Sequence, residues 1–264
     1  MIVLPMNDLS DLSNIERQES LLRLVEKEQR LSVSQICEEF SVSPATARRD
    51  LEVLTKNGKV RRIHGGALAL KSAPPEPPIA LRSAEQVEEK KRIGRAGATL
   101  IKDGDTVFLG SGTTVLEVAN NLRSRRGLTV ITHSLSVMNV LAGAPDITLV
   151  NLGGILRSNA LSFIGHLTEQ ALADIRVEKI IFGIRAIDTE AGLTIDHLPA
   201  AQTLRAVLNI GKELILVADH TKCERASMAF VAPITVIDTF ITDTKAPNTF
   251  ISALTDQGIQ VLTV

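Results

Sequence analysis

The sequence predicts an α/β chain in two parts, a small helical head with a β-hairpin and a larger domain built on a mainly parallel sheet. Three observations carry this. Apolar residues recur at helical spacing through residues 15–56, a run Lys71-Ser-Ala-Pro-Pro-Glu-Pro-Pro78 then interrupts regular structure, and from about residue 94 short β-rich segments alternate with helical ones. A length of 264 residues with 44% hydrophobic content fits two globular domains of ordinary size. We place the first domain at residues 1–70, a proline-rich linker at 71–82 and the second domain at 83–264.

In the head, Ile15, Leu21, Leu22, Leu24 and Val25 mark a first helix. Val33 to Phe40, entered from Ser32, marks a second, with Ile36, Cys37 and Phe40 facing inward. Ser43 is a good N-cap and Pro44 suits the first helical position, so a third helix starts there and runs to Lys56. Ala47, Leu51 and Leu54, at spacings of four and three, form its inward stripe. That leaves Ala45, Thr46, Arg48 and Arg49 near its N-terminal end on the outer side. Asn57-Gly58 is a turn pair, and Val60 to Ile63 reads as an exposed strand of a wing closed by Gly65-Gly66. Three short helices and a wing compose a winged helix-turn-helix, in which the third helix enters the major groove of DNA.

Charge supports that reading. From Arg48 to Arg62 there are six basic residues (Arg48, Arg49, Lys56, Lys59, Arg61, Arg62) against two acidic ones (Asp50, Glu52), whereas the whole chain has a net charge of −1. Such local basicity fits one nucleic-acid surface on a near-neutral body. The DNA-facing candidates are Ser43, Pro44, Ala45, Thr46, Arg48, Arg49, Lys56, Lys59, Arg61, Arg62 and His64. There is no tryptophan or tyrosine, which disfavours stacking on single-stranded bases and leaves double-stranded DNA as the partner.

Composition narrows the remaining classes. The two cysteines, Cys37 and Cys223, lie far apart and suggest neither a disulfide framework nor a zinc site, so no metal or cofactor is expected. No apolar run approaches a membrane span, and Met1-Ile-Val-Leu-Pro-Met6 has no positive n-region; a cytoplasmic protein without membrane contact is expected.

The second domain opens with a helix over Val87 to Leu100, whose Glu88, Glu89, Lys90, Lys91 and Arg92 read as a solvated face. Strand candidates are Thr106 to Leu109, Leu128 to Ile131, Ile147 to Leu152, Lys179 to Phe182, Leu214 to Val217, Val236 to Ile241 and Ile259 to Val264. Near-continuous apolar strands separated by helices imply a parallel sheet covered on both faces, with ligands beyond the strands' carboxyl ends. The first such loop, Gly110-Ser-Gly-Thr-Thr114, suits phosphate: glycines allow close approach, and a helix N-terminus and hydroxyls favour an anion. Thr132-His-Ser134, Gly153-Gly-Ile-Leu-Arg157 and Asp219-His-Thr-Lys222 end further strands. Arg157 and Lys222 supply positive charge there, and His133 can bond a hydroxyl. The effector-site candidates in these loops are Gly110, Ser111, Gly112, Thr113, Thr114, Thr132, His133, Ser134, Gly153, Gly154, Arg157, Asp219 and Lys222.

The run from Arg17 to Gly66 resembles the N-terminal domain of DeoR-family bacterial transcriptional repressors. The matching residues are Val42, Ser43, Thr46, Arg48, Arg49, Asp50 and Leu51, then Arg62, His64, Gly65, Gly66 and Ala67; Ala47 stands where the family usually has isoleucine. The later loops resemble the same family's sensor domain, related in fold to ribose-5-phosphate isomerase. There the match rests on Ser111, Gly112 and Thr114, on Gly153, Gly154 and Arg157, and on Ser162, Gly165, Ile187 and Asp188. Gly192, Leu193, Thr194, Lys222, Ile241, Thr242 and Asp243 extend it. Gly110, His133, Arg185-Ala186 and His220 depart from the family pattern, and all fall in the expected pocket. The resemblance implies a repressor of carbohydrate-metabolism genes, relieved by a phosphorylated sugar or related metabolite and acting as a homo-oligomer, a dimer or tetramer. The resemblance adds Asp188 and Arg185 to the effector-site candidates, and Arg185 either contacts the ligand or closes the pocket.

Two rival readings remain at this level. A sugar-phosphate isomerase would need a general base, for which Asp188, Asp219 and Asp243 are available, but near strand ends aspartates more commonly cap turns. Gly153-Gly154 also lacks the preceding lysine of the isomerase loop, and neither a nucleophile elbow nor a His-Glu-x-x-His motif occurs, so no enzyme is expected. The other rival is a DNA-binding protein with no small-molecule effector.

Overall fold

In the computed structural model, residues 13–28, 30–56, 59–63, 65–69 and 71–264 are described. The chain divides into two compact units, Met1–Ser72 and Ala73–Val264. The expected Asn57-Gly58 turn and His64 lie outside the described residues.

The first unit contains α1 (Asn14–Glu28), β1 (Arg30–Ser32), α2 (Val33–Phe40), α3 (Pro44–Lys56), β2 (Val60–Ile63) and β3 (Gly66–Ala69). Ser32 starts α2 with a capping box, its hydroxyl accepting from the Gln35 amide while the Gln35 side chain accepts from the Ser32 amide. The core comprises Leu21, Val25, Leu31, Ile36, Phe40, Ala47, Leu51, Leu54, Val60 and Ala67. Ile15 lies in α1 as expected, exposed, while the buried stripe of that helix falls on Leu21 and Val25; one expectation needs correction, since Val60 of the wing strand is buried, because that strand packs onto the helices. The wing is also wider than expected. β1 joins β3 and β2 in a three-stranded antiparallel sheet ordered β1-β3-β2. A Cβ at Gly66 would lie 2.1 Å from the Leu31 carbonyl oxygen, so this crossing requires glycine.

The second unit is a seven-stranded parallel sheet between helices. Its strands are β4 (Thr106–Leu109), β5 (Leu128–Thr132), β6 (Ile147–Asn151), β9 (Val177–Phe182), β12 (Gly211–Val217), β14 (Thr239–Thr242) and β15 (Gln260–Thr263). They are ordered β15-β14-β12-β9-β4-β5-β6. All seven expected strands belong to it. The candidate at Val236 to Ile241 starts three residues later, because Ile234–Val236 is a turn of 3-10 helix. Alternate residues of each strand feed two cores. Val107 and Leu109 pack with α5 (Val87–Thr99), α6 (Thr113–Asn120) and α7 (Leu135–Leu141), while Phe108 faces the core that includes α9 (Leu198–Leu208) and α10 (Asn248–Asp256). The sequence reading missed a hairpin of β7 (Ile155–Arg157) and β8 (Ser162–Ile164). It also missed a small antiparallel sheet of β10 (Ala186–Asp188), β11 (Gly192–Ile195) and β13 (Ala229–Ala232). Strands this short carry too few residues for periodicity to register.

Residues 73–82, expected to form a linker, belong to this second unit. The proline run is extended, but the Ala73 amide bonds the Ala226 carbonyl at 2.8 Å and the Glu76 amide bonds Asp196 Oδ2 at 2.6 Å. A short helix, α4 (Ile79–Ser83), follows. Between β4 and β9 the strand order reverses direction, and such a switch point opens a crevice above the carboxyl ends of the strands.

Candidate functional site

In the first unit, α3 presents the expected face. The Ser43 hydroxyl accepts from the Thr46 amide at 3.2 Å, which caps the helix, and Ala47, Leu51 and Leu54 are buried beneath. Ser43, Pro44, Ala45, Arg48, Arg49, Lys56 and Lys59 are exposed, whereas Thr46, Arg61 and Arg62 are half-buried. Asp50, counted with the acidic residues of this stretch, is turned inward. Its carboxylate takes Arg17 Nε at 2.6 Å and Gln18 Nε2 at 2.9 Å, so it does not oppose the exposed arginines from the same face.

In the second unit, a cleft of about 930 Å³, including the part open to solvent, lies over the switch point. Gly110, Ser111, Gly112, Thr113, Thr114, His133, Arg157, Arg185, Asp219 and Lys222 line it, joined by Glu76, Arg82 and Lys90. Gly112 has φ 112°, a conformation that side chains rarely adopt, and it delivers the chain into the first turn of α6. The amides of that turn have no carbonyl partner within the helix and face the cleft end of the element.

Five basic side chains therefore meet two carboxylates, Glu76 and Asp219, in a largely buried space. Lys90 is 5% exposed, and its ammonium donates to the carbonyls of Arg82 (2.6 Å) and Glu85 (2.5 Å). Burial pushes its pKa down. Lys222 is lowered as well, by burial first and then by the positive charges of Arg185 and Arg82, with Asp219 opposing. Burial also lowers Arg82; it is held by Glu76 at 2.9 Å and by the Pro77 carbonyl at 2.9 Å, yet its Nη2 is buried without a hydrogen-bond partner. His133 sits in the cleft wall with its ring 5.4 Å from that of Phe108, and burial lowers its pKa to about 4, so the ring is neutral at pH 7. His133 Nδ1 and Asp219 Oδ2 are likewise buried without partners. The cleft thus offers a spare donor on Arg82, unpartnered atoms on His133 and Asp219, and an excess of positive charge.

Several expected effector residues serve the fold instead. Thr132 bonds the Leu109 carbonyl at 2.7 Å, and Ser134 caps α7 through the Val137 amide. Gly153 gives its carbonyl to Thr168 Oγ1 at 2.7 Å, which ties the Gly153-Gly154 loop to α8 (His166–Ala173). Asp188 accepts from the amides of Glu190 and Ala191, closing the β10-β11 turn. Thr132, Ser134, Gly153, Gly154 and Asp188 do not line the cleft. Asp243 is occupied by His220, whose Nδ1 lies 2.9 Å away, and by the Lys245 amide. Arg185 lines the cleft, and its guanidinium bonds the carbonyls of Pro74 and Pro75.

Glu76, Arg82 and Lys90 went unrecognised in the sequence. Lys90 had a readable signal, because Ile93, Gly94 and Gly97 follow it at spacings of three, four and seven and define the inward face of α5. Reading Glu88 to Arg92 as one solvated run overlooked that phase. Among the described residues no helix is long and apolar enough to cross a membrane, and no metal-binding cluster occurs.

These two sites on these two folds define a sensor-coupled transcriptional regulator. The DeoR-like helix-turn-helix domain matches residues 17–73, and the DeoR C-terminal sensor domain matches residues 85–244; the chain belongs to the DeoR family. It is 36% identical to the transcriptional repressor AccR of Agrobacterium fabrum over 232 residues, 88% of this chain and 90% of that one. It is 35% identical to the glycerol-3-phosphate regulon repressor of Escherichia coli over 250 residues, 95% and 99% of the two chains. The repressor GlcR of Bacillus subtilis is 33% identical over 247 residues, 94% and 95% of the chains. Among solved structures, ribose-5-phosphate isomerase A of Methanocaldococcus jannaschii aligns with a TM-score of 0.40 and 16% identity over 53% of this chain and 55% of that one. AccR, the glycerol-3-phosphate regulon repressor and GlcR are transcriptional repressors rather than enzymes, and this chain is a DNA-binding transcriptional regulator.

Proposed function

We propose that this protein represses genes of carbohydrate metabolism by binding duplex DNA through α3 and the wing, and that a phosphorylated sugar or a close relative relieves repression from the cleft. The observation that carries the effector class is the five basic side chains facing two carboxylates beside the first turn of α6. A neutral sugar would leave that charge uncompensated. The name of the glycerol-3-phosphate regulon repressor is consistent with a small phosphorylated polyol or sugar. On the DNA side, Arg48 and Arg49 reach base edges or phosphates from the exposed face of α3, and Lys59 to Arg62 contact the backbone.

We further propose a homo-oligomer that presents paired heads to repeated half-sites. Exposed Ile155, Leu156 and Leu167, clustered in sequence around the β7-β8 hairpin, supply apolar surface for assembly. The effector then stabilises an arrangement that no longer matches the operator. Coupling of roughly 1–3 kcal/mol is the ordinary scale, and operator binding must weaken effector binding by the same factor.

The test is dye-reported thermal unfolding against a panel of sugars and their phosphates, since a ligand at about 100 times its dissociation constant stabilises by about 2.7 kcal/mol. A shift with one phosphate ester and not with its free sugar supports the reading. Lys222→Ala should then retain operator binding and lose relief by that ester; silence across the whole panel would discard the effector class.

A further inference from the structure

We propose that Glu76 is a built-in competitor for the effector: its carboxylate holds the anion subsite formed by Arg82 and Arg157, and an incoming anionic group displaces it and frees the strap that leads from the DNA-binding unit. The inference rests on the cleft being an anion-sensing site and adds which residues take the anion and what moves.

Glu76 lies in the segment 73–78 that immediately follows the first unit. One of its oxygens pairs with Arg82 Nη1 at 2.9 Å, and the other pairs with Arg157 Nη2. Both arginines and Glu76 itself are nearly nine-tenths buried, so these are desolvated pairs inside the cleft rather than surface contacts. The carboxylate is nevertheless an incomplete partner. With one oxygen given to each guanidinium, Arg82 Nη2 stays buried without an acceptor. A phosphoryl group has three terminal oxygens and a larger charge, enough to bond both nitrogens of Arg82 and still reach Arg157. An anion of that class satisfies the site better than its resident, which is the condition for displacement.

Displacement acts on the chain as well as on the site. The rest of the strap is held through its backbone by the Arg185 guanidinium on the Pro74 and Pro75 carbonyls, Arg82 Nε on the Pro77 carbonyl, the Glu76 amide on Asp196, and the Ala73 amide on Ala226. Arg82, Arg185 and Lys222 line one cleft, and the two arginines bond strap carbonyls, so an anion among them draws on the groups that anchor the strap. Release of residues 73–78 would add up to about 20 Å of extended chain to the tether between the units. Heads on longer tethers lose a fixed half-site spacing, which ties occupancy of the cleft to loss of operator affinity without any change in the head itself.

The experiment uses the full chain with inorganic phosphate and glycerol 3-phosphate as probes. Binding is measured by calorimetry, and amide hydrogen exchange is followed in the peptide spanning Ala73 and Glu76. In the wild type, saturating probe should raise exchange at these two amides. Glu76→Gln should bind the probes about tenfold more tightly, the scale of one charge-assisted bond removed from the competition, and should show raised exchange before any probe is added. Glu76→Ala, which removes the carboxylate outright, should do the same. Equal affinity in wild type and both variants, or an exchange rate indifferent to the probe, would overturn the competition while leaving the sensor reading in place. Failure of both probes to bind any of the three proteins would overturn both.

Discussion

The two units use cations in opposite ways. On α3, Arg48 and Arg49 stand in solvent, and Asp50, beside them in sequence, is turned into the core against Arg17. In the cleft, Arg82, Lys90, Arg157 and Lys222 are drawn out of water, two of them are satisfied only in part by Glu76, and burial lowers Arg82, Lys90 and Lys222. Exposed cations incur little desolvation cost and are screened by salt, so they suit a long polyanion found by diffusion and held by many weak contacts. Buried cations are already desolvated, so a small anion of the right shape gains their full attraction. The same residue types are suited to a general grip in one place and a selective one in the other.

The comparison predicts separable stability. Among the described residues the core of the head has ten buried apolar side chains, and Leu51 is wholly buried among them. Leu51→Ala should cost about 2–5 kcal/mol in that unit, because so small a core cannot collapse around the cavity. Operator binding should vanish at 37 °C while a phosphate-dependent thermal shift survives in a separate transition. A single transition with both properties lost would show that the two units unfold as one.

A second expected effect belongs to the cleft alone. His133 has a folded pKa of about 4, below its ordinary 6.5, because burial disfavours the imidazolium. As pH falls, the unfolded chain takes up this proton first, so the contribution is fully present above about 6.5 and declines through the window down to about 4. The loss across that window is at most about 3 kcal/mol. Unfolding of His133→Asn followed between pH 7 and 4 should show a correspondingly shallower decline than the wild type. Identical slopes in the two proteins would mean that the ring is hydrated in solution.

Arg48→Ala and Arg49→Ala should each weaken operator binding by about 1–3 kcal/mol where the side chain reads a base. Where it meets a phosphate instead, the loss should be uniform across DNA sequences and the salt dependence should flatten by about one unit of slope. Neither change should alter the thermal shift given by a phosphate ester. Unchanged operator affinity in both variants would remove α3 as the reading helix.

How much of this was legible in the sequence follows from how local each signal is. Ser32 and Ser43 announce helix starts because a cap acts within three residues, and the central strands announce themselves because each must be apolar on both faces. The glycine turn at 110–114 was readable for the same reason. The anion subsite was not, since Glu76, Arg82 and Arg157 come from a strap, a short helix and a hairpin, and only the folded chain brings them together. Conversely, Thr132, Ser134 and Asp188 looked like ligands because they sit at strand ends, where the same polar groups are also needed to close turns and cap helices. Position in the chain marks the rim of a site; it does not say which rim residues are free to turn toward a ligand.

The smallest effect separates folding from recognition at one residue. Ser43 caps α3 through the Thr46 amide at the end of the helix expected to face DNA. Ser43→Ala removes the cap and should cost about 1 kcal/mol of head stability, with operator affinity falling only as far as the folded fraction does. Ser43→Asp restores a capping oxygen and places a negative charge by the positive end of the helix dipole, so the head should be at least as stable as the wild type. That same charge would face the phosphates. Ser43→Asp should therefore bind operator more weakly than Ser43→Ala even though it is the better folded of the two, by chemical denaturation and DNA titration at matched salt. The opposite order would place this end of α3 away from the DNA.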